Sequence, residues 1–261
     1  MMRRRIQNKS SSFDGSNYMT IEPLEECTIR FTKDVKYTKD GKLWRNLKAL
    51  QTLTLSKGEF CYFKNTLQSP EIYGTVRTSG KFNLRGNCMS LIFGDNAKGK
   101  YDLSGRPRVF AQMFFNSEVV EVEKTFLPAT ILSYGCYEGM FINCTSLTSA
   151  PELPALVLAE ACYYQMFSGC TSLTSAPELP ATTLTNRCYP GLLKNCSKLN
   201  YIKALFTTRP ATGYTEDWVL GVSSTGTFVK NPDATWDVVG EDGVPEGWTV
   251  KFDGEEDGGV A

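Results

Sequence analysis

CYEGMFINCTSLTSAPELPALVLAEA, residues 136–161, is followed at once by CYYQMFSGCTSLTSAPELPATTLTNR, residues 162–187, and then by the shorter CYPGLLKNCSKL, residues 188–199. The period is 26 residues. Cys136, Cys162 and Cys188 mark one phase of it, Cys144, Cys170 and Cys196 a second, and Leu147, Leu173 and Leu199 a third. Stepping back by the same interval puts Phe110 under Cys136, Phe114-Phe115 under Met140-Phe141, and Leu127-Pro128-Ala129 under Leu153-Pro154-Ala155. A degenerate copy is therefore expected at about 110–135. A unit this short has too little apolar surface to bury alone, so copies must stack on one another.

Within each copy, CYxxMFxxC places apolar residues at positions 0, 1, 4 and 5, which predicts one or two turns of helix packed inward. The polar turn that follows leads into Leu-Thr-Ser-Ala-Pro-Glu-Leu-Pro. Prolines, and the residues before them, disfavour helix there, so a short extended segment is expected. Leu147, Ala150 and Leu153 should face inward, as should Leu173, Ala176 and Leu179. Thr148, Ser149 and Glu152, with Thr174, Ser175 and Glu178, should form the exposed face and are the candidate binding residues of the stack.

MFSGCTSLTSAPELPAT (166–182) and its near-copy at 140–156 resemble the BspA-like, Treponema-type leucine-rich repeats. The flanking phrases GNCMSLIFGDN (86–96) and GTFVKNPDATWDVVGEDGVPEGWTV (226–250) resemble parts of a protein type found in gut anaerobes and their bacteriophages. The resemblance covers about 110–205, with fewer repeats than longer family members have. It implies a short leucine-rich-repeat solenoid in a surface or virion binding protein and not in an enzyme.

Composition narrows the classes further. The 261 residues carry 28 basic and 28 acidic side chains, so no global field points to nucleic acid or to an anionic membrane. There is no histidine, which removes the commonest general base and metal ligand. No run of about 18 apolar residues predicts a membrane span. Arg3-Arg4-Arg5 is not followed by an apolar stretch of the signal-peptide kind. A binding protein without an export signal fits a virion component released by lysis.

The nine cysteines are odd in number, and six hold repeat positions usual for small buried side chains. Reduced core thiols are the favoured reading, although stacked neighbours would be close enough for a bridge. With Cys-x7-Cys spacing and no Cys-x-x-Cys, a zinc site is not expected.

Residues 1–17 read as a polar, basic arm in which Arg3, Arg4, Arg5 and Phe13 are candidate attachment residues. A solvated tail is the plainer reading of the three arginines. Residues 18–93 read as a β domain, a small sandwich or barrel. Strands are expected at Tyr18–Glu22 and Cys27–Thr32, with a hairpin around Asp40-Gly41. Two further strand pairs are expected, one turning at Lys57-Gly58 and the other joining 74–77 to 80–84. Residues 94–109 read as a loop without phosphate-loop spacing, 110–205 as the solenoid, 206–253 as a β-rich cap and 254–261 as an acidic tail. Asn200–Phe206 should be the last strand-like unit; beyond it Glu216–Gly221 should be a short helix and Gly226–Lys230 a strand, with Trp236 and Trp248 plugging the stack.

The fold class expected is thus mainly β with short helices: an N-terminal β domain, a leucine-rich solenoid of 26-residue period, and a β-rich cap. Glu152 and Glu178 share a repeat phase, near the spacing of a retaining glycosidase pair. Identical Pro-Glu-Leu-Pro contexts give them no reason to differ in pKa, so catalysis is not expected. Glu118, Glu121 and Glu123 read as a solvated strand face. The expected function is structural and adhesive, as a head or tail fibre or decoration protein of a phage, or alternatively as a host-encoded surface or effector protein. Its partners would be virion or surface proteins through the arm and a host glycan or protein through the solenoid. A homo-oligomer or larger assembly is expected, with no cofactor.

Overall fold

The computed structural model describes residues 13–66 and 74–255. Among these the chain is mainly β, with one short α-helix.

Alternating apolar and polar residues form two sheets in the first part. The first has the order β4-β3-β6-β1-β8-β9, built from β4 (Arg45–Leu47), β3 (Val35–Thr38), β6 (Cys61–Asn65), β1 (Met19–Pro23), β8 (Phe82–Arg85) and β9 (Val119–Val122). The second, β5-β2-β7, joins β5 (Leu53–Leu55), β2 (Cys27–Phe31) and β7 (Val76–Ser79). Phe31 of β2 meets Phe63 of β6 with ring centroids 5.0 Å apart, so the inner faces share one core. The helix α1 (Ser90–Phe93) is pinned beneath β6, where the Ser90 hydroxyl donates to the Phe63 carbonyl at 2.8 Å.

The hairpin at Asp40-Gly41 is present, with Tyr37 opposite Arg45 and Val35 opposite Leu47. The other two expected strand pairs do not form. β5 pairs with β2 while β6 pairs with β1 and β3, and β7 pairs with β2 while β8 pairs with β1 and β9. In a two-layer fold a turn can carry the chain from one sheet to the other, so Lys57-Gly58 fixes the reversal without fixing the partner.

The repeats hold the largest departure from the sequence reading. No helix forms over CYxxMFxxC. Instead every fourth residue takes a left-handed backbone: Gly135, Gly139 and Asn143, then Ala161, Gln165 and Gly169, then Arg187, Gly191 and Asn195. The same pattern holds at Arg108, Gln112 and Asn116 before them and at Gly213, Asp217 and Gly221 after them. A helix cannot survive a left-handed residue each turn, because that conformation breaks its hydrogen-bond ladder.

The backbone donors are divided instead. Glu138, Met140 and Ile142 donate to the carbonyl three residues back in their own copy. Tyr137, Gly139, Phe141 and Asn143 donate to the next copy, at Cys162, Tyr164, Met166 and Ser168, over 2.7–3.0 Å. Apolar residues at 0, 1, 4 and 5 suit this four-residue turn as well as they suit a helix, which is why the spacing alone misleads.

The copies meet through their rings. Phe110, Tyr137, Tyr163, Tyr189 and Trp218 form one column, with centroids 5.7, 6.0, 6.2 and 6.1 Å apart. Phe114, Phe141 and Phe167 form another, with both spacings 5.7 Å. Phe110 therefore lies under Tyr137 and not under Cys136, and Phe114 lies under Phe141. The offset to the degenerate copy is 27 residues at this point, although Leu127–Ala129 keeps the 26-residue offset to Leu153–Ala155. The offset is still wider at β9, where the bridge from Glu121 to Ser149 takes the place that Ser175 to Tyr201 holds one copy on. β9 is also irregular against β8: Phe82 and Leu84, two apart on β8, pair with Val119 and Val122, three apart on β9, which is a β-bulge. With the degenerate turns shifted in this way, Phe115, expected in the core, is exposed.

Glu216–Gly221 is also not helical. It belongs to a further copy of the turn ribbon: Gly191, Leu193 and Asn195 donate to Glu216, Trp218 and Leu220, and Tyr189 donates just before it, to Tyr214. β10 (Tyr201–Ala204), which precedes it, and β11 (Thr227–Lys230) and β12 (Thr249–Phe252), which follow it, form a parallel sheet of their own. Trp236 and Trp248 are buried there, their indole N–H groups donating to the Phe206 and Ser223 carbonyls at 2.9 and 2.7 Å. All nine cysteines are buried free thiols. Cys144, Cys170 and Cys196 each donate to a carbonyl one copy back, at Phe114, Phe141 and Phe167, each over 3.1 Å.

Candidate functional site

The extended segment of each copy turns a Leu, an Ala and a Leu inward at three-residue intervals. Leu147, Leu153, Leu173 and Leu179 are buried, and Ala150 and Ala176 pack against the same core. Thr148, Ser149, Glu152, Thr174, Ser175 and Glu178 are all exposed. Parallel bridges join Glu121 to Ser149 and Ser175 to Tyr201, and the row continues through Thr227 to Thr249 in β11 and β12. Hydroxyl groups and one exposed aromatic ring, Tyr201, thus line a single ribbon across the strands.

Charge pairs hold both ends of this ribbon. At the first, the Arg85 guanidinium donates to Glu22 at 2.9 Å and to Glu121 at 3.0 Å. Burial pushes the Glu22 carboxyl upward, but hydrogen bonds from Asn83 and Arg85 outweigh it and hold the pKa below the usual range. At the far end the Lys203 ammonium lies 2.9 Å from Asp253 and 3.3 Å from Glu178. Its pKa is raised, first by the hydrogen bond to Asp253. Glu178 is thus ion-paired with a lysine that it shares with Asp253.

Sequence periodicity finds the six ribbon residues, and one more 26-residue step from Ser175 reaches Tyr201. It misses Arg85, Lys203 and Asp253, which arrive from strands outside the repeated phrase. Of the candidate attachment residues, Arg3, Arg4 and Arg5 lie outside the described residues. Phe13 stacks on Tyr18 with centroids 5.5 Å apart and meets the edge of Tyr62 at 4.9 Å, so its ring is seated on the β sheets.

Buried nucleophiles are held inert. Desolvation pushes the Cys136, Cys144, Cys188 and Cys196 thiols up to about 12, which keeps them protonated near neutral pH. Among the described residues no group of three or more Cys, Asp or Glu is placed to hold a metal ion, and no helix is long and apolar enough to cross a membrane. No protein-family model matches the chain, and no curated protein or solved structure is significantly similar to it.

Proposed function

We propose that the stacked copies constitute a short BspA-like leucine-rich-repeat solenoid and that the chain is a non-enzymatic binding protein, a virion component of a phage such as a fibre or decoration protein. The observation that carries this reading is the ribbon. Identical hydroxyl and carboxylate groups recur at one spacing on a stiff scaffold, Glu178 is tied off by Lys203, and the cysteines are locked in the core. Such a surface binds through many weak, repeated contacts and needs no cofactor. The basic segment that carries Arg3, Arg4 and Arg5 then attaches the chain to the particle, leaving the ribbon outward for a host glycan or protein.

Mass spectrometry of purified phage particles tests this directly. The chain should be present as a stoichiometric component, and deleting residues 2–12, which leaves Phe13 in its seat, should remove it from particles without lowering its melting temperature. Recovery from the host envelope and not from particles would overturn the virion role in favour of a host-encoded surface protein.

A further inference from the structure

An open cleft of about 670 Å³ lies on the β sheets, well away from the ribbon's repeated residues, between the segment 13–18, the loop after β3, and Lys98. That volume is in the range of sites for small ligands. Its wall is aromatic and continuous. The rings of Phe13 and Tyr18 stack at 5.5 Å, and Tyr18 meets Trp44 at 5.0 Å. Phe13 is seated against Gly41, where a Cβ would collide with the ring. Trp44 is fixed from behind, because the Lys64 ammonium sits 4.0 Å from the centre of its indole and is itself gripped by Asp95 at 2.6 Å. The Tyr18 hydroxyl donates to the same Asp95 carboxylate at 2.7 Å. Trp44 lines the cleft and is only half-buried, so part of the indole is open to it.

The rim carries both donors and acceptors, its two carboxylates in fixed places. Asp40 accepts from the backbone N–H groups of Lys42 and Leu43 at 2.9 and 3.1 Å, and Asp14 accepts from the Ser16 N–H and hydroxyl at 3.2 and 2.6 Å. Two ammonium groups, Lys42 and Lys98, complete it. Two carboxylates against two ammoniums leave the rim without net charge, which disfavours an anion or a cation as the ligand. A sugar ring has the complementary form: flat C–H faces that lie on an aromatic surface, and an equator of hydroxyls that both donate and accept.

We propose that this cleft binds a hexopyranose glycan, one ring laid on Trp44 and its hydroxyls met by Asp14, Asp40, Lys42 and Lys98. The site is independent of the ribbon, and it gives the β sheets a recognition role of their own. It also accounts for a half-buried tryptophan held rigid at the surface, where a purely structural residue would be covered.

Saturation-transfer NMR with the full chain tests it, using cellotriose, chitotriose and lactose as probes and choline as a cation control. Transfer to the ring C–H protons of at least one sugar is expected, with none to choline. Trp44→Ala should weaken it about tenfold or more and Trp44→Phe less. Lys42→Ala, at an exposed side chain on the rim, should weaken it measurably, and Lys57→Ala, exposed and outside both cleft and ribbon, should leave it unchanged. Transfer to choline and not to sugars would show a cation cage and overturn the proposal. So would no transfer to any of the three sugars, or equal transfer in Lys42→Ala and the wild type. Loss in Thr174→Ala with Lys42→Ala unaffected would place the glycan on the ribbon and refute the cleft.

Discussion

Replacing Tyr163 with phenylalanine should stabilise the protein, although it removes a polar group from the middle of its longest ring column. The ring is 1% exposed and lies between Tyr137 and Tyr189, with centroids 6.0 and 6.2 Å away. Its hydroxyl, buried with it, finds no hydrogen-bond partner, and neither does that of Tyr137. An unpaired buried hydroxyl costs about 1–3 kcal/mol, and phenylalanine keeps the whole stacked ring while discarding that cost. The expected gain is thus about 1 kcal/mol or more, or roughly 2–4 °C in melting temperature per kcal/mol for a chain of this size. Urea unfolding followed by circular dichroism measures it, with an unchanged slope required for the comparison. Tyr189→Phe is the internal control, because the Tyr189 hydroxyl is not among the orphaned atoms, and it should gain little. Tyr163→Ala, which removes the ring as well, should lose about 3–5 kcal/mol. A loss of 1 kcal/mol or more in Tyr163→Phe would refute the reasoning, since it would mean that a buried water or thiol pairs with the hydroxyl.

Leu173→Ala should cost about 2–5 kcal/mol as a cavity in the core, and exposed Thr174→Ala about 0.5 kcal/mol or less; similar thermal melts would defeat the inward and outward assignment. Thiol labelling with a water-soluble disulfide reagent at pH 8 should be slow until denaturant is added, and reductant should leave the melting temperature unchanged, because the thiols are buried and protonated. Asp40 is held at a pKa of about 2 by the Lys42 and Leu43 N–H groups, below its ordinary 3.8. A lowered folded-state pKa means stability that is present above the unfolded value and lost as pH falls, so Asp40→Ala should flatten the acid limb of the melting curve between about pH 4 and 2. An unchanged acid limb would show that the loop does not need the carboxylate.

The stack was legible because its period is written in residues that must face inward. Leu147, Leu153, Leu173 and Leu179 are buried and the threonines and serines between them are exposed. The local backbone was misread, yet the deciding residues were in view. Asn143, Gly169, Asn195 and Gly221 occupy one phase, and asparagine and glycine are the residues that tolerate a left-handed backbone most readily. Apolar spacing outweighed them in the reading. The one-residue shift at Phe110 was hidden, because the degenerate copy keeps too few matching residues to fix its register on the next, and so were the partners of β5, β6, β7 and β8. Register between distant strands is set by tertiary packing and leaves no local mark.

The same distinction separates the two surfaces. The ribbon repeats because the copies repeat, so its hydroxyls follow from one phrase, whereas the cleft draws on residues 13–18, 40–44 and 98, which only the pairing of β1, β6 and β3 assembles. The ribbon's scaffold rests mainly on backbone and rings. Each copy donates backbone hydrogen bonds to the next from alternate residues, five from Arg108, Phe110, Gln112, Phe114 and Asn116 and five again from Ala161, Tyr163, Gln165, Phe167 and Gly169. Thr148, whose hydroxyl donates to the Val120 carbonyl at 3.0 Å, and Glu178, paired with Lys203, add to it, whereas exposed Ser149 and Thr174 can change while the stack stays intact. In the cleft no such separation exists, since Tyr18 and Trp44 both line the wall and hold the Lys64–Asp95 pair beneath it. Substitution on the ribbon should therefore alter recognition at little cost in stability, while substitution of the cleft's rings should alter both together.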